Sequence, residues 1–286
     1  MRKGVSMYQL GLIGYPIKHS LSPWIHEQFL KKANLSGRYT LFEIGPNESF
    51  AQVMEELKRK ELDGFNVTVP YKQTIIPYLD EIDTEAESIG AVNTVLNDNG
   101  RWIGYNTDGK GYLRALENKF PKLLADKTNK ILILGAGGAA RGIYYALTAS
   151  GFEYVDIANR TIESASHIAK LKMGKTKTEI LSLIEAENKV KEYDIFIQTS
   201  SVGMNPNHED TIISVNDIKK TSIVSDIVYQ PIDTAILRQA RSVGAAVHFG
   251  HTMLIYQAQY AFEIWTGKRV SIGSMDKELQ LILEGR

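Results

Sequence analysis

The stretch Ile131-Leu132-Ile133-Leu134-Gly135-Ala136-Gly137-Gly138-Ala139-Ala140 decides the fold of the chain. Four consecutive apolar residues predict a buried β-strand, and the residues from 139 to 150 predict a helix. Between the two lies a glycine turn, and the whole matches the Gly-x-Gly-x-x-Gly/Ala fingerprint of dinucleotide-binding units.

The turn has the residue types that a pyrophosphate site requires. Gly135 permits a tight turn, Gly137 lets the backbone approach the pyrophosphate, and small Ala140 lets helix and strand pack closely. The helix N-terminus adds unpaired N–H groups and a partial positive charge. We therefore predict that the cofactor binds at Gly135, Ala136, Gly137, Gly138, Ala139 and Ala140.

The tip of the next predicted strand, residues 154–158, distinguishes NADP from NAD. NAD-specific folds usually place an acid there, about twenty residues beyond the glycines, to bind the ribose 2′-hydroxyl. Here the tip is Asn159-Arg160-Thr161, whose guanidinium can pair with a 2′-phosphate. Asp156 is the competing acid, but it falls inside the predicted strand. The tip therefore favours NADP.

The rest of the chain alternates short apolar runs with amphipathic stretches, which predicts an α/β protein. Before the glycine turn we predict strands at 8–14, 40–44, 65–69, 92–96 and 102–105, with helices starting at the N-cap Ser22 and covering 49–59. After it we predict strands at 154–158, 194–199 and 223–227 and helices at 251–265 and 275–284. We expect a substrate-binding, catalytic domain over residues 1–109, completed by 251–286, and a Rossmann-like doubly wound NADP-binding domain over 110–250.

Composition excludes several classes of function. The 286 residues carry 33 basic and 33 acidic side chains, so no net field attracts nucleic acid or an anionic membrane. The lack of cysteine excludes thiolate catalysis and fits a reducing cytosol. Gly11, Gly14 and Pro16 break the apolar stretch after the basic start, so we expect no signal peptide or membrane span and a cytoplasmic location. The six histidines show no ligand spacing, so we predict no metal site.

Small polar side chains are concentrated beside breaks in the chain, in a pattern that suits a polyhydroxylated small-molecule substrate. The segments are Gly14-Tyr15-Pro16-Ile17-Lys18-His19-Ser20-Leu21-Ser22-Pro23, Asn66-Val67-Thr68-Val69-Pro70-Tyr71-Lys72, Gly90-Ala91-Val92-Asn93-Thr94 and Tyr105-Asn106-Thr107-Asp108-Gly109. Each also has a structural interpretation, since Ser22 and Asp108 can cap helices and Asn66 and Thr68 can satisfy strand ends.

Together with the glycine turn, Asn159-Arg160-Thr161 and Gly250-x-x-Met253-Leu254-x-x-Gln257, these segments resemble the shikimate dehydrogenase family over nearly the whole chain. The resemblance implies an NADP-dependent oxidoreductase that reversibly reduces 3-dehydroshikimate to shikimate in aromatic amino acid (chorismate) biosynthesis, as a monomer or homodimer.

The resemblance also implies residue roles. Ser20 and Ser22 would bind the substrate carboxylate, and Lys72 and Asp108 would act at the reacting carbon. Ring hydroxyls would be bound by Asn66, Thr68, Asn93 and Gln257, with Tyr229 lining the substrate side. Cofactor contacts would come from the glycine turn, Asn159, Arg160, Thr161, Thr199, Ile227, Gly250 and Met253.

Two positions depart from the family pattern. Gln198 stands where the family usually has Asn or a similar small residue, in the loop facing the nicotinamide. Ser164 stands where a second base often follows the threonine of Asn159-Arg160-Thr161. The second departure leaves Arg160 as the main group for a 2′-phosphate and predicts a weaker preference for NADP.

Ketone reduction requires a proton as well as a hydride, and an ammonium at Lys72 is suited to donate it. Asp108 would raise the lysine pKa and burial would lower it; if Lys72 cannot release its proton readily, water would carry the proton.

The nearest alternative function is that of a relative that also uses quinate or NAD. A remote one is a non-catalytic NADP-binding metabolite sensor, against which the intact Lys72 and Asp108 argue.

Overall fold

The computed structural model describes residues 7–286, which form two compact units. The first extends to Thr107 and includes Gln257–Ile272; the second comprises Asp108–Tyr256 and Gly273–Arg286. The first boundary lies two residues before the predicted one, whereas the last helix groups with the second unit and not, as predicted, with the first. One reason is that Nε2 of His251 lies 2.9 Å from Oδ1 of Asp276, both in the second unit. The basic residues Arg2 and Lys3 lie outside the described residues.

The first unit is built on a mixed six-stranded sheet in the order β2-β1-β3-β5-β6-β4. Its strands are β1 (Tyr8–Gly14), β2 (Gly37–Glu43), β3 (Gly64–Val67), β4 (Glu81–Ile82), β5 (Thr94–Asp98) and β6 (Arg101–Tyr105), and its helices are α1 (Ser22–Lys32), α2 (Phe50–Arg59) and α3 (Thr84–Ile89), with a 3-10 turn at Ile76–Tyr78. Strand β1 pairs in parallel with β2 and β3, and β5 pairs antiparallel with β3 and β6.

Successive side chains of β1 point to opposite faces of the sheet. Both faces are buried, because each packs into an apolar cluster. Ile13 packs into a cluster with Phe65 and Trp102, whereas its neighbour Leu12 packs with Tyr39 and with Trp265 of a later helix. The strand predicted at 8–14 is confirmed. The predicted strand at 40–44 begins earlier, at Gly37, because it pairs with the full length of β1.

Helix α1 corrects one sequence-based expectation. Ser22 is the first residue of the helix and not its N-cap; Leu21 occupies the cap position without a side-chain hydrogen bond. The Ser22 hydroxyl instead accepts a hydrogen bond from Ser20 Oγ at 3.2 Å. Ser22 is therefore not needed as the N-cap of the helix and is available for another role.

The second unit has a fully parallel sheet in the order β12-β11-β10-β7-β8-β9. Its strands are β7 (Lys130–Leu134), β8 (Tyr154–Ala158), β9 (Ile180–Leu181), β10 (Ile195–Gln198), β11 (Ile223–Asp226) and β12 (Ala246–His248). Its helices are α4 (Asp108–Lys119), α5 (Pro121–Ala125), α6 (Gly138–Ala149), α7 (Ile162–Ala169), α8 (Leu183–Asn188), α9 (Ala235–Ser242), the start of α10 (Gly250–Thr266) and α11 (Met275–Leu283), with a 3-10 turn at Val190–Glu192. This is the predicted doubly wound fold.

The strand order reverses at β7, and ligands of open parallel sheets bind at the carboxyl ends of the strands at such a switch point. Ile131 and Ile133 of β7 face one apolar cluster and Leu132 and Leu134 face another, so both sides of the strand are covered. The glycine turn therefore directly follows a strand that is packed on both sides, at the position where a nucleotide is expected. Among residues 7–286, no helix combines the length and apolar character needed to cross a membrane.

Candidate active site

The first unit contains a buried cluster of amides and hydroxyls at the carboxyl end of β3 and its neighbours. Asn93 is its centre: Nδ2 donates to Thr107 Oγ1 at 2.9 Å and to Gln257 Oε1 at 3.4 Å, while Oδ1 accepts from the Thr107 backbone N–H at 2.8 Å. Asn66 Nδ2 donates to the Asn93 carbonyl and to Thr94 Oγ1, each at 3.1 Å. We call these five residues, Asn66, Asn93, Thr94, Thr107 and Gln257, the amide cluster.

Of the residues predicted to bind ring hydroxyls, the structure therefore brings Asn66, Asn93 and Gln257 into one hydrogen-bonded group. Thr68 follows β3 directly, and its backbone N–H donates to the Ile13 carbonyl at 2.9 Å. Its side chain is half-buried. The geometry of this cluster is fixed by sheet register, since Asn66 and Thr94 are paired residues of β3 and β5.

Lys72 lies on the segment that follows β3. Its carbonyl accepts from the Val92 backbone N–H at 2.8 Å, which ties it to the residue before Asn93. The preceding residue, Tyr71, donates its hydroxyl to the Ile44 carbonyl at 2.6 Å. These two bonds hold the backbone of the lysine segment, and the Lys72 side chain is half-buried.

Asp108 is the buried first residue of α4, in the second unit. Its segment is held by Asn106, whose Nδ2 donates to the Ala91 carbonyl at 2.9 Å. Asp108 thus belongs to the first turn of α4 and is not the residue that precedes the helix.

The glycine turn has the conformation that the fingerprint predicts. Gly135 has φ +109°, and a Cβ there would lie 2.8 Å from Thr199 Oγ1 and 3.1 Å from the Ser200 nitrogen. Gly137 is the N-cap of α6 and no side chain caps the helix there. A Cβ on Gly137 would have no atom of the described residues within 4 Å. The space beside the N-cap of α6 is therefore open among the described residues, which fits a pyrophosphate at this helix N-terminus.

The acid and the base near the strand tip have different environments. Asp156 accepts the Glu179 N–H at 2.6 Å and the Tyr193 hydroxyl at 2.9 Å. Burial raises the pKa of Asp156, and these two hydrogen bonds partly offset it. Arg160 is exposed beyond the end of β8, and Asn159 Nδ2 braces the tip by donating to the Thr161 carbonyl at 2.8 Å. The only acid in β8 is thus held by its own domain, and the tip presents a guanidinium.

Gln198, the departure from the family pattern, is directed into its own loop. Its Nε2 donates to the carbonyls of Ser200 at 3.2 Å and Val202 at 2.9 Å, and its Oε1 accepts from the Ser200 N–H at 2.5 Å. The side chain is buried. Next to it, Thr199 Oγ1 donates to the Leu134 carbonyl at 2.9 Å, which fixes Thr199 beside the glycine turn. The larger amide therefore closes this loop.

The segment after β11, which carries Ile227 and Tyr229, is held by a buried carboxylate. Asp226 accepts the Val228 N–H at 2.9 Å and the Thr234 hydroxyl at 2.7 Å. Burial raises the pKa of Asp226 to about 7, although these hydrogen bonds lower it. Tyr229 is half-buried, and burial raises its pKa. Asp226 thus fixes the loop that presents Tyr229.

Gly250 and Met253 have distinct structural reasons for their identity. A Cβ on Gly250 would press on the backbone carbonyls of Ile227 and, at 2.7 Å, Val228, so only glycine lets α10 start against that loop. Met253 is mostly buried in the same apolar cluster as Ile133 and Ile195. The structure therefore places Gly250 against the Tyr229 loop and Met253 in the core.

Sequence reasoning missed three residues that organise these sites. Asp226 directly precedes Ile227 but has no motif of its own, and Tyr39 is a single tyrosine in a strand with no motif around it. His248 bridges Ser225 Oγ at 2.9 Å and Thr252 Oγ1 at 3.0 Å, and burial lowers its pKa to about 3. The sheet register, which no local pattern shows, brings Tyr39 close to Asn66 and His248 close to Ser225, whereas the partners of Asp226 lie two and eight residues further along the chain. Among the described residues, no group of three or more His, Cys, Asp or Glu side chains is arranged to hold a metal ion.

Comparison with known proteins identifies the family. Three family models match successive parts of the chain: the shikimate dehydrogenase substrate binding domain over residues 12–95, shikimate/quinate 5-dehydrogenase over 116–236, and the shikimate 5'-dehydrogenase C-terminal domain over 250–280. A protein of Oceanobacillus iheyensis named shikimate dehydrogenase (NADP(+)) is 52% identical over 278 residues, covering 97% of this chain and 99% of the relative.

Two solved structures extend the likeness to three dimensions. The shikimate 5-dehydrogenase of Thermus thermophilus in complex with NADP(H) and shikimate has 32% identity and a TM-score of 0.83, with 95% of this chain and 98% of that one covered. The shikimate 5-dehydrogenase of Listeria monocytogenes in complex with shikimate and NAD has 33% identity and a TM-score of 0.86, with 98% and 99% covered.

Proposed function

The chain belongs to the shikimate dehydrogenase family, and on that premise we propose that it catalyses the reversible NADPH-dependent reduction of 3-dehydroshikimate to shikimate. The observation that carries the proposal is that one chain has both a buried amide cluster for a hydroxylated ring and an open glycine turn for a pyrophosphate. A sensor would need the second feature but not a lysine beside the first.

Three features of the second unit fit the binding of NADP. The space beside Gly137 admits a pyrophosphate, the uncapped N-terminus of α6 supplies N–H donors, and Arg160 supplies a cation for the 2′-phosphate. Asp156 is bound to Glu179 and Tyr193 and does not oppose that phosphate. We therefore assign the 2′-phosphate to Arg160, with Asn159 holding the tip in shape.

In the first unit, we assign the substrate carboxylate to the hydroxyls of Ser20 and Ser22. These hydroxyls are linked at 3.2 Å, so they already face one another. Ring hydroxyls go to Asn66, Asn93 and Gln257 of the amide cluster and to Thr68. Together these amides and hydroxyls offer both donors and acceptors, which is what a ring with several hydroxyls requires.

In the mechanism, the bound cofactor supplies the hydride. Lys72, as an ammonium, stabilises the negative charge that develops on the substrate oxygen and donates a proton to it. In the direction of oxidation, neutral Lys72 accepts the alcohol proton. By the family pattern we also assign Asp108 to the reacting carbon and Tyr229 to substrate binding; Asp226 fixes the loop that carries Tyr229.

We also propose a cytoplasmic location, supported by the lack of cysteine, and a monomer or homodimer, which sedimentation analysis would distinguish.

The test is to add 3-dehydroshikimate to purified protein and NADPH and to follow the loss of nicotinamide absorbance. We expect turnover, and in reverse the reduction of NADP by shikimate. Assays with quinate in place of shikimate, and with NAD in place of NADP, distinguish the proposed function from the nearest alternative, a relative that also uses quinate or NAD. Binding of NADP without turnover of either substrate would favour the sensor.

A further inference from the structure

Tyr39 is a buried tyrosine of β2 whose hydroxyl bonds to a residue assigned to the substrate. It donates to Asn66 Oδ1 at 2.7 Å. The pKa of Tyr39 is raised well above its usual value by burial, and an interaction with the Ser22 side chain opposes this. The hydroxyl therefore lies against the amide cluster, while its phenol ring is covered by the core.

The hydrogen bonds that Asn66 makes within the protein leave it one way to bind a ligand, which is as a hydrogen-bond acceptor. A side-chain amide has two N–H donors and one oxygen acceptor. Both donors are committed, to the Asn93 carbonyl and to Thr94 Oγ1. Because a carbonyl can only accept, the amide cannot flip without losing that bond, and Tyr39 holds the oxygen end. What Asn66 can offer a ligand is Oδ1 as an acceptor.

His26 fixes the plane of the Tyr39 ring. The two rings stack with centroids 4.5 Å apart and planes 3° from parallel, and Trp265 packs on His26 at 5.0 Å. Burial lowers the pKa of His26 to about 3, so the ring is neutral, and neither of its nitrogens has a hydrogen-bond partner among the described residues. The Tyr39 ring is packed against aromatic neighbours and loses little further freedom when substrate binds. The Tyr39 hydroxyl is therefore preorganised.

We propose that Tyr39 is a positioning residue for substrate recognition: its hydroxyl holds the Asn66 amide in the one orientation in which Oδ1 accepts a hydroxyl group of the substrate. The proposal rests on the proposed function for the identity of that substrate. It assigns no role to Tyr39 in hydride or proton transfer, so binding and turnover respond differently to its loss.

The experiment compares Tyr39→Phe with wild type by titration calorimetry with shikimate and by steady-state kinetics. We expect the Kd of shikimate to rise about 5- to 20-fold, because an Asn66 amide that Tyr39 no longer holds makes a weaker hydrogen bond to the substrate, while kcat changes less than about threefold. Tyr144→Phe is the matched control. Its hydroxyl is also hydrogen-bonded, to Thr178 Oγ1 at 2.8 Å, but in the second unit, and we expect its Kd within about twofold of wild type.

A double-mutant cycle with Asn66→Ala separates positioning from a general loss of packing. In the Asn66→Ala background, Tyr39→Phe should raise Kd by less than about twofold, because the group that Tyr39 positions is gone. An unchanged Kd in Tyr39→Phe overturns the inference, and so does an equal rise with and without Asn66. Calorimetry is independent of turnover, so a wild type that binds shikimate without oxidising it would contradict the proposed function alone.

Discussion

Substitution of Gly137 by alanine should weaken the binding of NADP while leaving the apoprotein almost as stable as wild type. The new Cβ meets no atom of residues 7–286 within 4 Å, and the φ angle of −89° is open to any residue. Alanine is poorer than glycine as an N-cap by about 0.5–1 kcal/mol. It also reduces the entropy of the unfolded chain, which returns about 0.4–1 kcal/mol. The two effects cancel to within about 0.5 kcal/mol.

The loss of binding follows from where that methyl group lies. In the proposed placement of the pyrophosphate, it occupies the space between that group and the N–H groups at the start of α6. A hydrogen bond to a charged group contributes about 1.5–3 kcal/mol. Loss of one such bond corresponds to a rise of about 10- to 150-fold in the KM for NADP.

Gly135→Ala provides the opposite case in the same turn. Its φ of +109° is unfavourable for alanine by about 1–3 kcal/mol. The Cβ would also lie 2.8 Å from Thr199 Oγ1, an overpacking that adds about 1–3 kcal/mol. We expect the apoprotein to lose at least about 2 kcal/mol of unfolding free energy, which lowers Tm by about 4 °C or more.

The assay is thermal unfolding of both variants and wild type without cofactor, together with the KM for NADP at saturating shikimate. A Gly137→Ala variant with wild-type KM would refute the placement of the pyrophosphate. A Gly135→Ala variant with wild-type Tm would refute the conformation of the turn.

Three further predictions concern charged groups. Lys72→Ala should lower kcat by about 100- to 10,000-fold with the Kd of shikimate nearly unchanged; near-normal turnover would remove Lys72 from the chemistry. Arg160→Ala should raise the KM for NADP about 10- to 100-fold and leave that for NAD almost unaffected; equal effects on both would show that Arg160 does not bind the 2′-phosphate. Because the pKa of Asp226 is raised to about 7, the folded state holds its proton more tightly than the unfolded state, so ionisation destabilises the fold as pH rises from about 4 to about 7. Tm measured across this range should therefore fall more for wild type than for Asp226→Asn, and identical slopes would contradict the raised pKa.

The sequence predicts the second unit well, because its signals are local. Residues 154–158 form a strand with the predicted bounds, and the glycine turn lies between β7 and α6 as its spacing requires. Asp156 and Arg160 differ in role because one side chain lies within the strand and the other beyond it, and strand length is readable from periodicity. The fold and the cofactor class follow from such features.

The amide cluster is only partly predictable. Its members are recognised from the family motifs, but their mutual bonds depend on sheet register. Tyr39 and Asn66 are 27 residues apart, and no periodicity links a tyrosine of β2 to an amide of β3. Ser22 shows the limit of capping rules, because the hydroxyl of Ser20 and the position of Leu21 decide where α1 begins. Long-range pairing thus determines what local chemistry leaves open.

The commitment of both Asn66 N–H groups has a consequence for the design of inhibitors. A ring analogue can carry fluorine or an ether oxygen in place of the hydroxyl that Asn66 binds. Such a group has lone pairs but no proton to donate to Asn66 Oδ1, so we expect the analogue to bind weakly. An amine at the same carbon keeps a proton to give and should be accepted. The selectivity of this pocket among ring analogues is then set by the direction of a single hydrogen bond, and not by the size of the group that makes it.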